Sequence, residues 1–262
     1  AVFSGLMAGS ATGGVVAEIF GYRRAFQISG IILFMAGVLV ACGVQEKFKA
    51  EKKHKKANKA LHPTIKKIVL AMPMLSLFVA MSFCKSFDTP MLPLLIQEIH
   101  GKLEGAALFS GTLNAVGSLA GLLSGFILGS LSDKVSPAKI GIYSALGAGL
   151  LLIPQGVAHN FVVLYIARFG MIFCAGGLDP VFQVWLAKVT PEKSKGFIFG
   201  WATTAKSIGW VFAPLISALC ASLFGLRSIF FIGALLMFLL IPLIIFVVRI
   251  ISQNSHSRGF LE

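Results

Sequence analysis

The chain has 262 residues, of which 56% are hydrophobic and 13% are charged, with a formal net charge of +13. A soluble domain carries about 25% charged residues, so the composition excludes an ordinary water-soluble protein. The apolar residues form long runs rather than the alternating pattern of an outer-membrane barrel, and an open chain satisfies its backbone in lipid only as helix. The sequence therefore predicts an all-α, polytopic membrane protein. Its basic residues lie between the runs, which indicates membrane topology rather than nucleic-acid binding.

Eight apolar runs are long enough to cross a bilayer, which takes about 20 helical residues. They are 1–20, 25–44, 68–96, 105–131, 138–157, 161–187, 196–224 and 228–251. The chain begins at Ala1, inside the first of these runs, so we expect it to be a piece of a longer protein.

The largest break between the runs is segment 46–67, which holds nine lysines and two glutamates. It is too polar to bury and is predicted to be a solvated loop, with contact to anionic lipid headgroups as a weaker alternative. Sixteen lysines and arginines fall on the side of this loop and four on the opposite side. The positive-inside rule therefore predicts that the central loop and the C-terminus are cytoplasmic.

Two short turns of the sequence repeat: FGYRRAFQISG (20–30) and FGLRSIFFIG (224–233) are offset by 204 residues. A six-span unit repeated in one orientation gives this spacing, so the chain is expected to hold two spans of one unit and all six of the next. The predicted regions are the last two helices of an N-terminal half (1–45), a basic cytoplasmic loop (46–67), a C-terminal six-helix half (68–251) and a cytoplasmic tail (252–262).

Three motifs resemble those of the major facilitator superfamily, whose fold has two six-helix halves. GSLSDKVSPAK (129–139) resembles its cytoplasmic loop signature, and ARFGMIFCAGG (167–177) is similar to its arginine motif. GLMAGSATGG (5–14) resembles its antiporter motif, with Ser10 at the usual proline position. The resemblance implies a partial major facilitator fold with transmembrane helices 5 to 12 of twelve, lacking the first four. It also implies a relation to the drug:proton antiporters.

Glycines repeat at every fourth position in two of the runs, which gives each helix a flat face where another backbone can approach closely. Plain helix packing is one interpretation, and a face along which the two halves slide or rock is the other. The candidate packing residues are Gly5, Gly9, Gly13 and Gly14 in the first run, and Gly117, Gly121, Gly125 and Gly129 in the fourth.

The 129–139 turn is predicted to be a cytoplasmic gating loop, with Gly129, Asp133, Lys134 and Lys139 as its candidate residues. Asp133 follows the end of a predicted helix, where it would accept hydrogen bonds from the start of a neighbouring helix and latch a closed state. A solvated turn aspartate is the alternative.

Ionisable side chains within membrane spans usually face a cavity or a partner, because an isolated charge is costly in lipid. At about 1.5 Å per residue, Lys206 lies roughly 15 Å and Asp179 roughly 13 Å from the cytoplasmic ends of their runs. These two residues are predicted to pair, either as a static ion pair or as a site for substrate binding or proton coupling. Gly176, Gly177 and Pro180 should loosen the helix that carries Asp179.

Four further residues are candidates on similar grounds. Arg168 is either a cavity residue or an anchor, and Trp210 shares a helix face with Lys206 four residues away. Lys85 and Asp88 lie about 26 and 30 Å along their run, so their i,i+3 spacing predicts an ion pair at an outer gate or cavity mouth.

The sequence contains no catalytic motif and no ATP-binding loop, so neither an enzyme nor a cofactor is predicted, and no metal site is expected. We expect secondary active transport of a small solute by alternating access, with proton-coupled efflux of drugs or metabolites favoured. The expected partners are a small-molecule substrate, protons and the lipid bilayer, for a monomer in the cytoplasmic (inner) membrane. The alternatives are a sugar or metabolite uniporter or symporter and a non-transporting membrane sensor.

Overall fold

The computed structural model describes residues 2–43, 61–101, 105–132, 134–190 and 195–256, which form helices joined by short turns. A 3₁₀ turn, Thr89–Met91, connects the third and fourth α-helices. The predicted all-α class is confirmed. The α-helices are α1 (Val2–Phe20), α2 (Tyr22–Gly43), α3 (Leu61–Ser86), α4 (Leu92–His100), α5 (Ala106–Leu131), α6 (Pro137–Gly156), α7 (Phe161–Gly176), α8 (Leu178–Val189), α9 (Lys195–Phe224) and α10 (Ser228–His256).

Six helical stretches of the described residues are long and apolar enough to cross a membrane. They are Tyr22–Gly43, Ala106–Leu131, Pro137–Gly156, Phe161–Lys188, Lys195–Phe224 and Ser228–Ile251. The other two predicted runs, 1–20 and 68–96, fall on α1 and on α3 with α4. The chain is thus a multi-pass membrane protein.

Two of the predicted spans are divided into separate helices. The third span breaks after Ser86 and continues through the 3₁₀ turn, which contains Pro90, into α4. The sixth span divides at Gly177, between α7 and α8. Pro180 lies in the first turn of α8 and has no amide N–H to continue the helical hydrogen bonds across the break. Each break lies within a few residues of a charged side chain.

The helices from α3 onward share one hydrophobic core. α6 packs against α7 and α10, α5 packs against α7, and α3 packs against α9 and α10. Phe78 and Phe182 are fully buried in this core and meet edge to face. α9 reaches the backbone of α3 at Gly209, where a Cβ would lie 2.6 Å from the Val79 carbonyl oxygen and 2.7 Å from the Phe83 nitrogen. Only glycine permits this approach.

α1 packs along α5, and this contact joins the two predicted halves. The face that α1 turns inward carries Met7, Ser10, Ala11 and Gly14, at the i, i+3, i+4, i+7 spacing of one helix stripe. A Cβ on Gly111 of α5 would lie 2.7 Å from the Ser10 carbonyl oxygen and 2.8 Å from the Gly14 Cα. The two backbones are therefore in direct contact at this point.

The glycine ladder of α1 meets no described helix at Gly5, Gly9 and Gly13, so a packing role for these three residues stays a prediction. Around the Cβ positions of Gly5, Gly9 and Gly13, the described structure leaves open space within 4 Å. Gly14 does make the contact, because it lies on the stripe that contains Ser10. A four-residue glycine spacing marks a flat stripe, but the neighbouring helix follows the stripe beside it.

The ladder of α5 packs against α7 at two of its glycines. A Cβ on Gly117 would lie 2.5 Å from Ile172 of α7, and a Cβ on Gly176 would lie 3.0 Å from the Gly121 Cα. These glycines pack α5 onto α7 within the second half. Gly125 and Gly129 have open space within 4 Å in the described structure.

Replacing Gly111 with alanine should weaken the α1–α5 contact, because the added methyl group meets backbone that has no rotamer with which to move aside. We expect a loss of about 1–3 kcal/mol in the free energy of unfolding, as for other overpacked sites. The measurement is thermal unfolding of the purified full-length gene product.

Gly125→Ala on the same helix is the matched control. This substitution gives the same gain in helix propensity, about 1 kcal/mol, and its added methyl group has no described neighbour within 4 Å. Equal unfolding temperatures for the two variants would contradict the close backbone contact.

Candidate functional site

Three charged side chains from three helices meet in a group that we call the lysine cluster: Lys85 of α3, Asp179 of α8 and Lys206 of α9. The Lys206 Nζ donates a hydrogen bond to Asp179 Oδ1 over 3.2 Å, and the Lys85 Nζ donates to Asp179 Oδ2. The side chains of Lys85, Asp179 and Lys206 are 20%, 25% and 18% exposed. The cluster therefore holds two ammonium groups for one carboxylate, and all three side chains are partly exposed.

A second ion pair, which we call the sealed pair, joins Asp88 to Arg168 of α7. Arg168 Nη1 donates to Asp88 Oδ2, and the side chains are 4% exposed for the arginine and 1% for the aspartate. Asp88 lies in the bend between α3 and the 3₁₀ turn. The sealed pair has no net charge and is closed to solvent. It links α7 to the segment that follows α3.

Local structure explains how the members of the lysine cluster come together. Asp179 is in the first turn of α8, directly after the break at Gly177. Lys206 lies three residues before Gly209, and the contact that Gly209 makes with α3 sets the distance between α9 and α3. Lys85 is in the last turn of α3, and side chains in a helix lean towards its N-terminus, which directs this long side chain back along α3.

The predicted pair of Lys206 with Asp179 is present, and the structure adds Lys85 to it. The predicted pair of Lys85 with Asp88 is wrong, since each residue binds a partner on another helix. The i,i+3 rule applies only within a continuous helix, and α3 ends at Ser86, between these two residues. The sequence also suggested no partner for Arg168, which the sealed pair supplies.

Trp210 lies four residues after Lys206 on α9. Its side chain is 58% exposed, and it follows Gly209, the residue that α9 turns towards α3. The exposed surface of α9 around Lys206 carries polar groups as well, because Thr203 and Ser207 are both exposed.

Hydrogen bonds to the carbonyl oxygens of Leu131 and Gly129 close the 129–139 turn, and Leu131 accepts from the Lys134 and Val135 N–H groups over 3.0 and 2.9 Å. The Gly129 carbonyl accepts from the Ser132 backbone N–H over 3.2 Å and from its hydroxyl over 2.6 Å. Lys134 and Lys139 are exposed. Asp133, the predicted latch, lies outside the described residues.

Arg227, in the second copy of the repeated turn, makes a contact that the sequence analysis missed. Its Nε donates to Glu98 Oε1 over 2.8 Å, and its Nη1 donates to the carbonyl oxygens of Gly156 and Ala158 over 3.1 and 2.9 Å. The arginine thus joins α4 and the end of α6 to the turn before α10. The sequence did place Arg227 in the repeated turn, next to the start of a predicted span, where an arginine can donate to carbonyl oxygens at a neighbouring helix end.

Glu18 makes a second contact that the sequence did not suggest. Its Oε1 accepts a hydrogen bond from the Gly105 N–H over 2.8 Å, at the start of α5. Gly105 has a φ of +86°, a conformation that favours glycine. A carboxylate on α1 thus caps α5 across the contact between the predicted halves.

Asp88→Asn should leave Arg168 buried without a counter-charge, and we expect this to cost about 3–5 kcal/mol in the free energy of unfolding. The double variant Asp88→Asn, Arg168→Gln removes both charges and should be more stable than the sum of the single losses predicts. Thermal unfolding of all three variants in the full-length gene product measures this coupling.

Glu98→Gln is the control, since it makes the same carboxylate-to-amide change in a pair that is 27% and 46% exposed. Its effect should stay below about 1 kcal/mol, as for other surface pairs. Additive losses for Asp88 and Arg168 would contradict a buried, mutually dependent pair.

Comparison with known proteins gives a family and several relatives. The model of the Major Facilitator Superfamily matches residues 1–154 and, in a second match, residues 107–260. The chain is 28% identical over 233 residues to the multidrug resistance protein MdtG of Rahnella sp. (strain Y9602). It is 30% identical over 238 residues to the protein of the same name from Escherichia fergusonii. Each match covers 88% of this chain and 57% of the relative, so the chain spans little more than half the length of these relatives.

Proposed function

Because the chain belongs to the major facilitator superfamily, whose members bind small-molecule substrates and often protons, we propose that it acts in secondary active transport by alternating access. The transport we propose is export of drugs or other small metabolites in exchange for protons. The name of the relatives, multidrug resistance protein, supports a drug-like solute.

The lysine cluster is the observation that carries this proposal. Ionisable side chains within membrane spans are expensive, and those that reach a cavity mark substrate and ion pathways. The three side chains of the cluster are about one-fifth to one-quarter exposed, whereas both members of the sealed pair are almost fully buried. The cluster is therefore the better candidate for contact with solute and protons, and the sealed pair is the better candidate for a fixed support.

Asp179 is the proposed proton carrier. Its carboxylate holds Lys85 on one side and Lys206 on the other, so it links α3, α8 and α9. A proton on this carboxylate would remove its attraction for both ammonium groups, and the two like charges would then repel each other. The three helices would separate at the cluster, which biases the protein towards one of its two open states. Asp88 is less suited because its side chain is only 1% exposed.

The contact of α1 with α5 is the proposed surface on which the two halves rock. Its backbones touch at Gly14 and Gly111, two residues that have no side chain to interlock. The Glu18 cap on Gly105 lies at one end of this surface, and it is a contact that rocking would make and break. The latch at Asp133, with the neighbouring 129–139 turn, stays part of the same proposal.

We place the protein in the cytoplasmic (inner) membrane as a monomer, with the central loop and the C-terminus in the cytoplasm. The excess of lysines and arginines on that side supports the orientation. A C-terminal fusion to green fluorescent protein should fluoresce, and a fusion to alkaline phosphatase should be inactive. The reverse result would overturn the orientation.

In everted membrane vesicles that contain the full-length gene product, a pH gradient should drive accumulation of a fluorescent drug against its concentration gradient. A proton ionophore should abolish this accumulation. Asp179→Asn should reduce the proton-driven rate by about tenfold or more, because the loss of a charged hydrogen-bond partner is worth roughly 1.5–3 kcal/mol.

Glu98→Gln serves as the matched control, since it removes a carboxylate from a more exposed pair that shares no residue with the cluster. Its transport rate should stay near that of the unaltered protein. Uphill accumulation that persists in the presence of the ionophore would refute proton coupling, and normal transport by Asp179→Asn would remove Asp179 from the mechanism.

A further inference from the structure

The charged side chains inside the membrane spans do not balance. Away from the ends of the predicted spans, the chain carries three basic residues and two acidic residues. The sealed pair uses one of each. What remains is the lysine cluster, in which Asp179 serves two ammonium groups. The cluster therefore has an excess of one positive charge in a place where an uncompensated charge is expensive.

The described structure does not supply a second carboxylate for the cluster. Two other described acidic residues are engaged at helix ends, where Glu18 caps α5 and Glu98 pairs with Arg227. The positive charge is also accessible, because the side chains of Lys85 and Lys206 are 20% and 18% exposed. A positive, accessible and partly desolvated group is matched by an anion.

Features around the cluster fit the same chemistry. Thr203 and Ser207 are exposed on α9 within one turn of Lys206, and a hydroxyl that donates to a backbone carbonyl can turn to donate to an oxyanion instead. Two ammonium groups and nearby hydroxyls form a donor set for a carboxylate or a phosphate.

We propose that the lysine cluster binds the oxyanion group of the transported solute, so that the substrates include small organic anions. This inference rests on the proposed transport function and narrows it to a class of substrate. Asp179 gathers the two ammonium groups at one spot, and the oxyanion completes the cluster by neutralising the remaining positive charge.

The test uses the purified full-length gene product in a neutral maltoside detergent and three matched sets of probes. These are benzoate, 2-naphthoate and octanoate, each beside its neutral amide and its primary amine. Binding is measured by isothermal titration and by the shift in thermal unfolding. We expect the carboxylates to bind at least about tenfold more tightly than their amides and amines, which corresponds to roughly 1.4 kcal/mol.

Lys206→Met should remove this preference, and Lys206→Arg should keep most of it, because both lysine and arginine donate to an oxyanion. Arg249→Met, which removes an exposed positive charge far along the chain, is the control and should bind like the unaltered protein. Unfolding of each variant without probe establishes that it is folded. Equal binding of acids, amides and amines, or a preference that survives Lys206→Met, would overturn the proposal.

Two further arms separate the possible sources of the anion and the two proposals. If phosphatidylglycerol abolishes the carboxylate preference by competition, the cluster is a lipid-headgroup site and the solute proposal fails. In proteoliposomes, proton-driven transport restricted to neutral and cationic solutes would refute the anion site while leaving the transport function intact. Carboxylate binding that depends on Lys206, without transport of any solute, would support the anion site and count against the transport function.

Discussion

Pairing of charge in a low-dielectric surrounding is the constraint on which this structure depends. A lone charge in lipid costs several kcal/mol even after relaxation, so each intramembrane ionic group must lie next to a partner on another helix. Asp179 alone connects three helices, and the sealed pair connects a fourth to the end of α3. The non-directional packing of leucine, isoleucine and phenylalanine sets how closely the helices approach. The charges determine how the helices are aligned along their axes, because each charged side chain must reach its partner on a neighbouring helix.

Much of the fold could be predicted because its causes are local in the sequence. Run length predicts a spanning helix, and each predicted run contains helix in the described structure. The glycine pair before Asp179, together with Pro180, predicted a weak point, and α7 ends there. The glycine ladder of α1 was less informative, because spacing identifies a smooth stripe without saying which helix covers it. Gly14 meets α5, while Gly5 and Gly9 face open space in the described structure.

Ion-pair partners were only partly predictable, for a physical reason. Lys206 and Asp179 were predicted to pair from their similar depth on consecutive spans. Lys85 was assigned to the wrong partner, because depth along a straight helix ignores the reach of a long side chain that leans back along its helix. Spacing rules also assume an unbroken helix, and α3 stops at Ser86. Tertiary contacts such as that between Arg168 and Asp88 leave no periodic trace in the sequence.

The two helix breaks have a joint mechanical consequence. In the third predicted span, the bend after Ser86 separates Lys85 from Asp88. In the sixth predicted span, Gly177 separates Arg168 from Asp179. The pair of Lys85 with Asp179 therefore joins α3 to α8 on one side of the two breaks. The pair of Asp88 with Arg168 joins the two spans on the other side. If the chain bends at these two points together, the lysine cluster opens while the sealed pair keeps its geometry. The sealed pair would then serve as a pivot, and a movement that begins at the cluster would pass to α3 and α8 without loss of the buried charge pairing on which the fold depends.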